Sequence, residues 1–135
     1  MAEVVGLITS VGTLAEITLA VFTNLYRYYG DVKSAPKASA ELRNELGVML
    51  NVLEHLQGSL RNDTPSLQPY YNVLEDALSK LTRLVKDMDQ HVSVEHMKGI
   101  GRLTWPFKKS ENEELIERIG RYRSTITMAL NKEQM

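Results

Sequence analysis

Between Val4 and Tyr26 the chain carries a single charge, Glu16, and any fold it adopts must house that stretch. Val4, Ile8, Val11, Ala15, Thr18, Phe22, Leu25 and Tyr29 recur at alternating spacings of four and three, which places them on one face of a helix. A second apolar set, Leu7, Leu14, Ile17, Val21 and Tyr28, flanks that face. Only a narrow stripe through Glu3, Ser10, Thr13, Glu16 and Arg27 is polar. The spacing predicts a helix over about residues 2–29, with Gly30 as its C-terminal stop and a turn over 31–35. A helix apolar nearly all round belongs inside a protein core or a membrane.

Magnitudes leave both destinations open. The eleven Val, Leu, Ile and Phe residues from Val4 to Leu25 contribute roughly −3 to −7 kcal/mol on a membrane-insertion scale, against about +3 kcal/mol for Glu16. Thr, Ser, Asn and Gly erode the remainder, so one copy sits near break-even. A 26-residue helix is about 39 Å long, enough to cross a hydrocarbon core of about 30 Å. Two readings follow. The segment is the central, most buried helix of a soluble bundle, or it stays folded there and inserts when several copies assemble with their polar stripes inward.

The remaining chain reads as amphipathic helix. Leu42, Leu46, Met49, Leu53, Leu56 and Leu60 form the seam of a second helix over about 35–61, with Pro36 in its first turn and Glu41, Arg43, Glu45 and Glu54 pointing away from it. Residues 61–65 end it. Leu67, Tyr71, Leu74, Leu78, Leu81, Val85 and Met88 define a third helix over about 66–89, with Pro69 in its first turn. A capping box of Ser110 and Glu113, with Glu111 and Glu114 beside it, opens a fourth over about 110–131. Its core stripe is Leu115, Ile119, Tyr122, Ile126 and Ala129. The expected fold is an all-α four-helix bundle in one domain, 1–135, with an irregular or short-helical linker before the last helix.

Composition narrows the function. A net charge of −1 argues against a general nucleic-acid binder. The absence of cysteine removes disulfide scaffolds and thiolate metal sites, and fits an intracellular location. The N-terminus lacks the basic start of a secretory signal, and Glu16 interrupts what would otherwise be an ordinary membrane span. The chain is therefore expected to be soluble and cytoplasmic at rest. His55, His91 and His96 are poor metal ligands, since the last two are five apart and no acidic residue completes a set. Gly99-Ile100-Gly101 follows no strand and precedes no Lys-Ser/Thr pair, so it is no phosphate loop. No cofactor, metal or catalytic site is expected, and an enzyme is not the favoured reading. Residues 93–109 hold four basic residues against one acidic, and Trp105 and Phe107 lie among Arg102, Lys108 and Lys109. Such residues suit a membrane interface, although packing over the open end of the bundle is the favoured role for the two aromatics.

The opening Met1-Ala-Glu-Val-Val-Gly-Leu-Ile-Thr-Ser-Val-Gly-Thr-Leu resembles the start of fungal HeLo-like N-terminal domains, as does Asp31-Val-Lys-Ser-Ala-Pro-Lys before the second helix. The most specific match is Leu103-Thr-Trp-Pro-Phe-Lys-Lys, followed by Glu114-Leu-Ile-Glu-Arg-Ile-Gly-Arg-Tyr-Arg-Ser and Met128-Ala-Leu-Asn. In order and separation the matches cover essentially the whole chain. The resemblance implies a helical bundle ahead of the NACHT-type module of a NOD-like (STAND) receptor, similar to the executioner bundles of necroptosis. It implies programmed cell death in innate immunity, by oligomerisation with itself, movement to the plasma membrane and permeabilisation of its lipids through the N-terminal helix. Carried onto this chain, Val4, Leu7, Ile8, Val11, Leu14, Phe22 and Leu25 would form the membrane-insertion face. Glu3 and Glu16 would form a pore-lining or polar stripe, with Trp105, Phe107, Lys108 and Lys109 as interface anchors. The modest basic content departs from the simplest executioner pattern and puts anionic-lipid recruitment in doubt. The competing expectation is a non-lytic oligomerisation or adaptor bundle that relays a signal through homotypic helix contacts.

Overall fold

The structure is a computed structural model that describes residues 2–31, 37–62, 65–92 and 109–133, with side chains described over 4–25, 40–62, 67–90 and 110–131. The described residues are helical and contain no strand: α1 (Ala2–Asp31), α2 (Lys37–Arg61), a 3-10 helix (Pro65–Tyr70), α3 (Tyr71–Val92) and α4 (Lys109–Glu133). The four long helices pack as the all-α bundle the periodicity predicts. The linker expected before the last helix, with Trp105, Phe107 and Lys108, lies outside the described residues, as do the side chains of Lys109 and Glu3.

Reach and contact fix the directions. The five residues between α1 and α2 span at most about 18 Å, whereas α2 is about 37 Å long, so the two helices run antiparallel. Gly12 beside Gln57 and Phe22 beside Gly47 show the same opposed order. The last turns of α3 meet the first turns of α4, which makes that pair antiparallel too. Both α1 and α4 pack against α2 and α3, so α1 faces α4 across one diagonal of the bundle and α2 faces α3 across the other. Sequence neighbours α2 and α3 are therefore not neighbours in space. The 3-10 helix packs on α3 and α4 and carries the chain across the end of the bundle.

The 3-10 segment contains Pro69, which has no N–H to give to either the Ser66 or the Pro65 carbonyl. The α-helix expected from Ser66 begins only at Tyr71. Two further boundaries differ from expectation. Helix α1 continues through Gly30 to Asp31. Helix α4 already includes Lys109, which moves Ser110 and Glu113 from a cap into the first turn.

All six seam residues expected of α2 are buried to 1% exposure or less. In α3, Leu67, Leu74, Leu78, Leu81, Val85 and Met88 are buried with Ala77 and Leu84, and Tyr71 is half-buried. In α4, Ile119, Ile126, Ala129 and Leu130 are buried, while Leu115 and Tyr122 are half-buried against the core. The α1 seam is the one that departs from the pattern. It consists of Leu7, Val11, Leu14, Thr18, Val21 and Leu25, a line between the two apolar sets. With α2 on one side and α3 on the other, the helix turns so that both of its apolar edges are covered partway. Val4, Ile8, Ala15, Ile17 and Phe22 then sit half-buried at the rims.

Two expected outcomes test this packing by urea unfolding. Leu53→Ala, at a fully buried site, lowers stability by about 2–5 kcal/mol. The Thr127 hydroxyl is buried without a hydrogen-bond partner, so Thr127→Val raises stability by about 1 kcal/mol.

Candidate functional site: the first helix and its seat

The described residues contain one helix long and apolar enough to cross a membrane, Val4–Leu25 in α1, and 28% of that stretch is buried in the bundle. It is a corner helix with one sheathed seam, which sets aside the expectation of a central, most buried helix. Its outward surface holds Val5, Gly6, Thr9, Ser10, Thr13, Glu16, Leu19 and Ala20. Val5 is 62% exposed and Leu19 54%. The residues expected to form an insertion face divide in the folded chain. Leu7, Val11, Leu14 and Leu25 are core, whereas Val4, Ile8 and Phe22 lie at the rims. Glu16, the expected polar-stripe residue, is exposed.

How α1 is held matters more than how much of it is buried. Thr9 donates its hydroxyl to the Val5 carbonyl at 3.0 Å, and Thr18 donates to the Leu14 carbonyl at 2.7 Å. Both bonds stay within the helix and travel with it. Among the described residues, no side chain from Val4 to Leu25 makes a hydrogen bond or ion pair to another helix. Helices α1 and α2 also meet at two glycines, where an added Cβ would make only ordinary contact. Gln57 lies 3.5 Å from where a Gly12 Cβ would stand, and the Phe22 ring lies 3.5 Å from the corresponding point at Gly47. The five fully apolar seam residues, Leu7, Val11, Leu14, Val21 and Leu25, represent roughly 8–15 kcal/mol of burial at about 1.5–3 kcal/mol each. Leaving the seat for water is therefore strongly unfavourable. Leaving it for another apolar medium restores the same term for the seam, while Ser10, Thr13 and Glu16 on the outer face lose their water and Glu16 carries the largest cost.

Helix α4 is held differently. Arg123 Nε donates to Glu45 Oε1 at 2.7 Å, joining α4 to α2 with both side chains largely covered (29% and 17% exposed). Periodicity alone sends Glu45 to the surface, but it sits at the α2–α4 boundary, where Gly120 leaves room for it. Three further charge pairs, Asp76–Lys80, Glu114–Arg118 and Glu117–Arg121, are exposed i,i+4 pairs within one helix and add little stability.

A shallow groove of about 200 Å³ lies between the end of α3 and the start of α4, lined by Leu84, Met88 and Leu115 with Asp87, Glu111, Glu114 and Arg118 at its edge. Among the described residues no group of three or more His, Asp or Glu could hold a metal ion. His55 is exposed, and the side chains of His91 and His96 lie outside the described residues. Comparison of the chain with family models, with curated proteins and with solved structures finds no match.

The geometry separates the outer face of α1 from its seam. Leu19→Lys changes thermal stability by no more than about 0.5 kcal/mol, because the side chain is exposed. It adds about 3 kcal/mol to membrane insertion. Thermal denaturation beside vesicle co-sedimentation checks both outcomes.

Proposed function

We propose that this chain is a membrane-targeting, cell-death-inducing effector domain of an immune or incompatibility receptor. It rests in the cytoplasm as a closed bundle. On oligomerisation it permeabilises the plasma membrane through α1. The single observation that supports this reading most is that, among the described residues, no side chain of Val4–Leu25 is hydrogen-bonded or ion-paired to another helix, and its buried seam is apolar apart from Thr18. A membrane replaces apolar contacts directly, whereas it replaces a buried ion pair or interhelical hydrogen bond poorly. The exposed Val5 and Leu19 add lipid-compatible surface before any rearrangement. The resemblance to HeLo-like domains points the same way. In the assembled state Glu16 would face the polar interior shared between copies, which removes the one large cost of insertion.

The test is dye release from anionic liposomes by the full chain, alongside a Val5→Lys, Leu19→Lys double variant with unchanged helicity. Release by the parent and a reduction of about tenfold or more in the variant are expected, given insertion costs of about 3 kcal/mol per lysine. Equal release by both proteins overturns the role of α1. No release by either, with formation of a stable complex with a second helical domain, transfers support to the non-lytic adaptor reading.

A further inference from the structure

We infer that α4 is a remote lock on α1, closed by the Glu45–Arg123 pair and acting through the spacing of α2 and α3. This deepens the reading above by naming what regulates the helix proposed to leave.

The inference begins with the diagonal arrangement. Helices α2 and α3 face one another across the core, and the two long helices that bridge them are α1 and α4. Each bridge lies in the groove between them, on opposite sides of the bundle. The width of one groove therefore sets the width of the other. If α4 lifts, α2 and α3 are free to separate, and the seat that clasps the α1 seam opens with them. In packed cores such changes occur between discrete arrangements rather than by gradual deformation.

The two bridges are fastened by different means. Among the described residues, α1 commits Leu7, Val11, Leu14, Val21 and Leu25 to the core, whereas α4 commits Ile119, Ile126, Ala129 and Leu130. The α4 contribution is smaller, and its Thr127 hydroxyl is buried without a partner. Against this weaker apolar hold stands a polar tie with no counterpart among the described side chains of Val4–Leu25, the 2.7 Å bond from Arg123 to Glu45. Position 120 lies over that tie. A Cβ at Gly120 would stand 3.6 Å from Glu45 Oε1 and 3.9 Å from the Arg123 guanidinium, which is ordinary contact. The site thus admits changes in both directions. Glu45→Gln weakens the tie, and Gly120→Ala stiffens α4 while covering the pair.

Native-state hydrogen exchange on the full chain, without lipid, tests the lock. In Glu45→Gln, amides in α4 and in residues 7–25 of α1 are expected to lose protection together by about fivefold, as for a largely covered ion pair. Amides at the centres of α2 and α3 are expected to lose less. In Gly120→Ala, protection of residues 7–25 rises, although position 120 and α1 stand at opposite corners. The lock is overturned if either variant alters α4 and leaves α1 unchanged. It is overturned equally if all four helices shift by one common factor, because the pair then adds only global stability. Should Glu45→Gln not fold, Gly120→Ala decides the matter alone. Exchange involves no membrane, so an absence of dye release leaves this result standing, and an unlinked α1 leaves membrane permeabilisation standing.

Discussion

Everything in this bundle rests on the leucine-rich seam of α2. Six side chains, from Leu42 to Leu60, are buried to 1% exposure or less, and α2 is shared between α1 on one flank and α4 on the other. Its partner across the core is α3, with a seam of Leu74, Leu78, Leu81, Val85 and Met88. Because these two helices lie on a diagonal, their apolar faces are incomplete until α1 and α4 fill the grooves between them. The topology follows from that demand. A connection from α2 to an adjacent α3 would need only a short turn, whereas crossing the bundle end requires the Pro65–Tyr70 3-10 segment.

The chemistry of attachment divides the bundle unevenly. On the Val4–Leu25 stretch, the Thr9 and Thr18 hydroxyls bond within the helix and apolar side chains meet the seat, so among the described residues the stretch is held mainly by a force without direction. An apolar segment held in this way can exchange one apolar surrounding for another. Helix α4 carries more charge and an interhelical ion pair, which has a defined geometry and no counterpart in lipid. The division fits the proposed effector role, in which α1 moves and the other helices stay behind. In that proposal, Glu16 on the outer face would favour the bundle for isolated copies and assembly once copies accumulate.

Several elements were legible in the residues. Strict four-and-three spacing made the seams of α2 and α3 legible, although Val48, Leu50, Val52 and Val73 lie off them. The same method misplaced the α1 seam because that helix has two apolar edges, and periodicity cannot choose between them. The choice fell on the intermediate line through Leu14 and Val21 once two neighbours pressed from different sides. Glu45 was illegible for a different reason. A charged residue beside a seam reads as solvated, and its partner Arg123 is 78 positions away. Gly120, a glycine inside an otherwise good helix, is a local mark of the place where the pair packs.

By itself the sequence determined that this chain forms four helices, the whole expected seam of α2 and most of that of α3, and that the first is too apolar for an ordinary surface helix. Those properties are local, set by side-chain spacing along one segment at a time. Only the tertiary structure decided that α1 stands at a corner, that α2 and α3 lie on a diagonal of the bundle, and that Glu45 belongs to Arg123. Each of those depends on which helix occupies which groove, a competition among whole surfaces that no single segment encodes. The segment from Val4 to Leu25 shows the division most plainly. Its composition makes it at home in either of two apolar surroundings, and the grooves of the bundle hold it in one of them.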